Sequence, residues 1–405
     1  MKPQRLYRPR NWTALLFAVN LTLGLVFCFV AFPRLTGTTT GLDPDGYGAA
    51  GRDLYTTGRF DSVTKAPLYP AFVAVVSWLT GGYRVWVVQA AQCLLAALTC
   101  ILLYTIARRV LEEPTARWAG LACALYPILV WYTPRLWTET FLTLVVAGYT
   151  LVLIDLLQRP TIPRALLCGA LAGVVAMSKG SALIFVMLTP LVLLITFRRK
   201  AFRWILLFCL AAAALIIPWT WRNWALAGQF LPVHANGGYN FYLGNGFTRH
   251  WLQAPLSYVG LKDLTMQDAQ VVYAGLGIAP PTDPLIQDDV LLHAALIDLC
   301  AHPLLVPQKL AVQSLTFWYL AADAPKSILT GILQIPVVLV SLLGVVRAVR
   351  ERSWALALLV PAAGIMSVSV VVFAFARLSA TIMPYIVGLA VYGLWPIVSK
   401  LRGSE

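Results

Sequence analysis

The chain has 405 residues, of which 59% are hydrophobic and only 12% charged, and its mean hydropathy is +0.75. A soluble domain carries about twice that charged fraction, so the composition excludes a soluble globular protein and describes a polytopic membrane protein. The net charge of +14 calls for no nucleic-acid partner, because its distribution along the chain accounts for it.

Inside a bilayer every backbone N–H and C=O must be satisfied by the chain itself, which leaves helices or a closed barrel. Barrel strands alternate over about ten residues, whereas the apolar runs here are continuous over about 15 to 25 residues, as helices require. The first run, 12–33, follows the basic residues Lys2, Arg5, Arg8 and Arg10. It is too long for the apolar region of a signal peptide and no small-x-small site ends it, so it reads as a retained span. A polar loop, 34–66, comes next. The apolar stretch 67–82 is too short to cross and is expected to lie at the interface or to re-enter. Further spans are expected at 85–107, 116–133, 137–157, 164–178, 181–197, 203–221, 328–347, 353–375 and 379–399, about ten in all.

The fifth and sixth spans form one apolar run broken at Ser178-Lys179-Gly180. As one helix it would reach about 50 Å, so a tight helical hairpin is expected. Between 222 and 325 the chain is semi-apolar. Its periodicity from about Asp289 to Tyr319, with Pro303 and Pro307 as breakers, predicts helices lying on the membrane. The fold class is therefore an all-α polytopic membrane helical bundle with interfacial helices in its outer loops. Three parts are expected: a transmembrane module at 1–221 that includes the loop 34–66, an outer loop at 222–325, and C-terminal transmembrane helices at 326–405.

Charge sets the orientation. With a cytoplasmic N-terminus, the inner segments hold 18 of the 31 Lys and Arg and five of the 17 acids, a net of +13, and the outer segments are nearly balanced at +1. This is the positive-inside pattern, with both termini cytoplasmic, and the inner rim is a contact for anionic membrane lipids. Six of the seven cysteines fall in apolar runs without paired spacing, and read as packing residues. The four histidines are scattered between 234 and 302 without ligand spacing. No metal site or cofactor is indicated, although a divalent cation is left open.

The loop 34–66 concentrates polar chemistry against the membrane. Asp43 and Asp45 flank Pro44, which keeps Asp43 out of a helix. Asp45 is placed to cap a helix that follows, and Lys65 opens the segment Lys65-Ala66-Pro67-Leu68-Tyr69. Carboxylates at a bilayer boundary serve as general bases, cation ligands or arginine partners. Helical spacing suggests local pairs of Arg135 with Glu139 and of Asp155 with Arg159.

The order Asp43-x-x-x-Tyr47-x-x-x-x-Arg52, then Gly58-Arg59-Phe60, then Lys65-x-Pro67-Leu68-Tyr69 resembles the first periplasmic loop of the GT-C integral-membrane glycosyltransferases, which use polyprenyl-phosphate sugars. The likeness is to the lipid A aminoarabinose transferase and protein O-mannosyltransferase branch. Glu139 within Pro134–Glu139 resembles a second acid of those proteins. Gly169 to Leu183 looks like their glycine-rich hairpin. Pro218–Asn223 with Pro232–Asn240, and Arg377 with Pro384, are similar to further stretches of theirs. Pro44 departs from the family, in which an acid often follows the first aspartate. No large periplasmic domain follows the last span, which leaves acceptor recognition to 222–325.

The resemblance implies transfer of a sugar from a polyprenyl-phosphate donor to a lipid, glycan or protein acceptor on the outer face of the cell (inner) membrane. Cations that meet the leaving phosphate stabilise the transition state more than the ground state; Lys65, Arg222 and Arg377 are the candidates. An acceptor hydroxyl needs a base, with Asp43 as first choice, Asp45 as its substitute and Glu139 as a supporting carboxylate. Tyr47, Arg52, Tyr69, Lys179, Asn236 and Tyr239 are expected to bind substrate. Direct displacement would invert the anomeric centre. The competing class is a transporter or flippase of a lipid-linked or small solute, which would carry mid-span charges and repeated halves; the sequence has almost none of the former and no two-fold hydropathy repeat.

Overall fold

The computed structural model describes residues 10–37 and 43–403; Lys2, Arg5, Arg8, Glu405 and the loop segment 38–42 lie outside them. Among the described residues every regular element is helical. Helix α1 (Arg10–Val26) runs through a π-helical turn, Phe27–Ala31, into α2 (Phe32–Thr36). The first loop holds α3 (Tyr47–Thr57) and α4 (Leu68–Leu79). There follow α5 (Val85–Val110), α6 (Glu113–Leu125), α7 (Pro127–Tyr132), α8 (Glu139–Gln158), α9 (Ile162–Ser178), α10 (Ile184–Phe197) and α11 (Ala201–Ala227). The segment 222–325 folds into α12 (Gly237–His250), α13 (Tyr258–Gly275), α14 (Pro284–Ala301) and α15 (Leu305–Tyr319). Helices α16 (Ala324–Arg350), α17 (Leu359–Val372), α18 (Ala376–Ser379) and α19 (Met383–Gly403) complete the chain.

The helix ends follow local chemistry. Asp283 accepts from the Leu285 N–H, and Asp323 from the Lys326 N–H. Each is followed by a proline in the first helical turn, where a missing N–H costs nothing. Gly58 and Gly228 close α3 and α11 at φ 69° and 67°, a left-handed conformation that side chains with a Cβ disfavour.

Six stretches are long and apolar enough to cross a bilayer: Asn11–Thr36, Val85–Val110, Glu139–Gln158, Gly180–Ala227, Ala324–Arg350 and Trp354–Val372. A seventh is counted if α14 and α15, bent by 117°, are joined. This corrects the expectation of about ten. The stretch expected at 116–133 is cut at Pro127 into helices of 13 and 6 residues. Helix α9 has 17 residues and stays among the shorter apolar helices, as does α4. The expected spans 181–197 and 203–221 fall within the single 48-residue stretch Gly180–Ala227. Such a stretch would reach about 72 Å as one helix; a 3-10 turn at Arg198–Lys200, with Arg198 at φ 52°, interrupts it. The expected 379–399 overlaps α19 from Met383 onward, and α19 is outside the six. Pro303 sits in the bend between α14 and α15. Pro307 lies in the first turn of α15 and does not break it, because the first four N–H groups of a helix have no helical partner to lose.

The main core joins side chains of α1, α5, α6, α8, α9, α16, α17 and α19. Within this core α9 meets α11, and α16 meets α19, backbone against backbone. A Cβ on Gly169 of α9 would lie 2.1 Å from the Phe208 carbonyl oxygen of α11, and one on Gly344 of α16 would lie 2.0 Å from the Leu389 carbonyl oxygen of α19. Small residues allow such approach where apolar lipid gives helices no hydrophobic reason to associate.

Gly169→Val is therefore expected to lower stability by about 1–3 kcal/mol, read as a lower thermal midpoint in detergent. Gly148→Val, where a Cβ would meet nothing within 4 Å, is the control and is expected to cost about 1 kcal/mol or less.

Candidate active site

A cavity of ≈ 360 Å³ opens where the first loop, the start of α8, the α9–α10 break, α12, α13 and the α17–α18 junction converge. Four cationic side chains line it, Lys65, Lys179, Lys262 and Arg377, against one carboxylate, Asp45. Tyr239, Tyr258, Phe373 and Phe375 supply an aromatic wall, with the Tyr258 and Phe375 rings 4.9 Å apart.

The first loop sets two of these charges. Gly46 turns the chain at φ 67°, and the Lys65 side chain lies against it: a Cβ there would be 3.4 Å from Lys65 Cε. Helix α3 then starts at Tyr47 rather than near Asp45. Its N-terminus is closed by Asp43, whose Oδ2 accepts from the Ala49 N–H at 2.9 Å. Burial raises the Asp43 pKa above the usual carboxylate value, against the lowering effect of the Ala49, Gly48 and Tyr47 N–H groups. Asp45, relieved of capping, pairs with Arg377 (Oδ2 to Nη1, 2.6 Å).

Arg377 is the link between two elements. Its Nε lies 2.8 Å from Glu139 Oε1, a charge contact without hydrogen-bond alignment, and its guanidinium carbon lies 4.0 Å from the Trp137 ring centroid. The Glu139 side chain is 2% exposed, and the same Oε1 accepts from Lys179 Nζ at 3.0 Å. A buried carboxylate requires such partners, and as the first residue of α8 it also meets the positive end of the helix dipole. Lys179 reaches it because the backbone between α9 and the next turn is extended there (φ −160°, ψ 124°).

His234 fastens that break. Its Nε2 accepts from the Gly180 N–H at 3.2 Å, and Nδ1 donates to the Ala235 carbonyl oxygen. These partners assign the neutral Nδ1–H tautomer. Burial, and secondarily Lys179 nearby, hold its pKa below the ordinary histidine value, with the Ala235 carbonyl opposing. The following loop is stitched to the first one: the Ala235 N–H donates to Val63 O at 2.8 Å and Asn236 Nδ2 to Thr64 O at 3.0 Å. Asn236 holds φ 98° to do so, a costly conformation for a residue with a Cβ.

Of the residues singled out in the sequence, Asp45, Tyr47, Lys65, Lys179, Asn236, Tyr239 and Arg377 line the cavity, and Glu139 stands behind it. Asp43 sits beneath the start of α3. Arg52 is exposed beside Asp53. Tyr69 is fully buried and donates to Gln92 Oε1 at 2.9 Å. Arg222 braces the first loop, donating from Nη1 to Ser62 O at 3.0 Å and to Asn223 Oδ1 at 2.9 Å while stacking on Trp219. Nothing in the spacing of Lys262, Tyr258 and Trp137 along the sequence distinguishes them from interfacial residues. The suggested Arg135–Glu139 pair is absent: Arg135 donates to Trp131 O at 2.6 Å and stacks on that ring. Asp155 pairs with Arg109 instead of Arg159. Among the described residues no group of three or more His, Cys, Asp or Glu side chains is arranged to hold a metal.

An excess of cation in a half-enclosed, partly apolar space is suited to a phosphate attached to a lipid or a sugar. Residues 64–224 match the family described as dolichyl-phosphate-mannose-protein mannosyltransferase. No curated protein matches the chain significantly. Among solved structures, the chain is similar to the apo oligosaccharyltransferase of Archaeoglobus fulgidus, with a TM-score of 0.60, 13% identity and coverage of 98% of this chain and 52% of that one. It is also similar to the oligosaccharyltransferase AglB of the same organism in complex with an inhibitory peptide and a dolichol-phosphate, at TM-score 0.58, 13% identity and coverage of 97% and 51%. ArnT from Cupriavidus metallidurans bound to undecaprenyl phosphate aligns at TM-score 0.45 and 16% identity, over 95% of this chain and 78% of that one. The chain spans about half the length of the two archaeal structures, and shares their fold along nearly its whole course. The membrane fold expected from the sequence resemblance is thus present.

The neutral His234 makes stability depend on pH. With the folded pKa below the unfolded value, its contribution is complete above about pH 6.5 and is lost as pH falls through the folded value. The wild-type thermal midpoint is expected to fall on acidification below about pH 6.5 more steeply than that of His234→Gln, which keeps an acceptor for Gly180 but does not titrate.

Proposed function

We propose that this chain, a helical membrane bundle with the GT-C fold, is a glycosyltransferase that moves a sugar from a polyprenyl-phosphate donor to an acceptor hydroxyl or amine. The single observation carrying the reading is the convergence of Lys65, Lys179, Lys262 and Arg377 on one cavity with one lining carboxylate, Asp45. A transporter has no need of that arrangement at one end of its bundle. The family matched by residues 64–224 and the dolichol-phosphate in a structure of the same fold support it. This reading keeps the site on the outer face of the cell membrane, with both termini inside, as the sequence resemblance implies.

In this reading Lys65 and Arg377 hold the donor phosphate, with Lys179 adding charge from the same lining. The acceptor oxygen or nitrogen attacks the anomeric carbon. The bond from that carbon to the phosphate oxygen breaks, its electron pair leaves on the phosphate, and the cations stabilise the charge as it grows. The acceptor's proton passes to Asp45, the carboxylate that lines the cavity, while Asp43 keeps α3 in place. One displacement inverts the anomeric centre. Tyr239 and Asn236 are placed to contact the sugar, and Arg222 serves by holding the first loop. The acceptor, whether lipid, glycan or protein, meets the α12–α13 side.

Purified protein in nanodiscs, given labelled polyprenyl-phosphate sugars, is expected to turn over at least one donor. Asp45→Asn should lower kcat by about 10²–10⁴-fold, and Lys65→Gln should weaken donor binding. A wild type that neither binds nor turns over any donor would sink the transferase reading. An Asp45→Asn enzyme of full activity, with an inactive Asp43→Asn, would move the base to Asp43.

A further inference from the structure

We propose that the donor phosphate and Asp45 compete for the same guanidinium, that of Arg377, so that donor binding releases Asp45 to act as the base. The inference rests on the transferase reading above and adds an order of events to it. Arg377 holds two carboxylates at once, Asp45 through Nη1 at 2.6 Å and Glu139 at Nε, 2.8 Å. The two are not equally replaceable. Glu139 is 2% exposed, is shared with Lys179 and begins a long helix. Asp45 is 38% exposed and lies on the short turn between Pro44 and Gly46. Among the described residues Arg377 is its one ion-pair partner.

The third side of Arg377 is covered by the Trp137 ring at 4.0 Å. Asp45 and Arg377 both line the cavity, and Asp45 occupies the Nη1 edge there. A phosphate entering the cavity reaches Arg377 by taking that edge, and its oxygens replace the carboxylate as acceptors. Lys65 lies on the same turn, its ammonium 3.6 Å from where a Gly46 Cβ would be, and so meets the phosphate as Asp45 leaves. A carboxylate oxygen that no longer accepts from an arginine has its lone pairs free for the acceptor's proton. The base is thereby free when the leaving group is seated and is held by Arg377 when it is not.

The test is a double-mutant cycle on binding, with no turnover required. Affinity for a short-chain polyprenyl phosphate without sugar, and separately for inorganic phosphate, is measured for wild type, Asp45→Asn, Arg377→Gln and the double variant in nanodiscs. Asp45→Asn is expected to bind both probes about tenfold tighter, the lipid phosphate remaining the stronger ligand, and the gain is expected to vanish when Arg377 is replaced. An equal gain in both backgrounds would mean that Asp45 acts only through the cavity's general field, and would overturn the inference, as would no gain or a gain confined to the lipid probe. If Arg377→Gln does not fold, Arg377→Lys stands in, and the gain is expected to shrink, since an ammonium presents no second edge. A wild type that binds no polyprenyl phosphate would overturn both this inference and the transferase reading; binding with a null cycle would overturn this inference alone.

Discussion

The cavity depends on the burial of one carboxylate. Glu139 stands at the head of α8 with almost no exposure, and a charge so placed is tolerable only when opposite charges and a favourable helix end surround it. The structure supplies them from two distant parts of the chain: Lys179 from the break after α9 and Arg377 from α18. Each cation is tied down by its partnership with Glu139 and at the same time faces open space. One buried acid therefore fixes the positions of two cations around a volume walled by the first loop and by α12, α13 and α17.

The surrounding elements are arranged to keep those cations in reach. Backbone-to-backbone packing of α9 on α11 sets where the α9 chain ends, and hence where Lys179 emerges. The Phe373–Phe375 segment is extended between α17 and α18 and sets Arg377 beside Trp137. The first device lies outside the cavity and the second forms part of its wall, and a shift in either would move a charge. The precision of the site is thus borrowed from the helical frame, as a loop alone would not hold ions of like sign together.

Much of this was legible in the sequence. The apolar runs announced helices, and the order of Asp43, Lys65, Glu139 and Arg377 pointed to a membrane transferase fold. What failed did so for local geometric reasons. Arg135 precedes α8, so a four-residue spacing to Glu139 does not place them on one helical face. Arg159 is the residue after α8, off the helix at φ −145° and ψ 85°, and Asp155 turned to Arg109. Hydropathy does not register how Pro127 divides a run, whereas the break expected between 197 and 203 is where the turn at Arg198–Lys200 falls. Lys262 and Trp137 were silent because their meaning lies only in what faces them across the cavity or packs on them, and that comes from other parts of the chain.

The seams between the two loops have a consequence for how this architecture diversifies. Ser62, Val63 and Thr64 each offer a carbonyl to a partner between 222 and 236, so the segments are fastened at three successive backbone positions. They are held to one another as one structural piece. A chimera that exchanged either segment alone would arrive with its fastenings mismatched, whereas exchanging both together would carry the seam intact into the new host. Changes of length in one should therefore be compensated in the other.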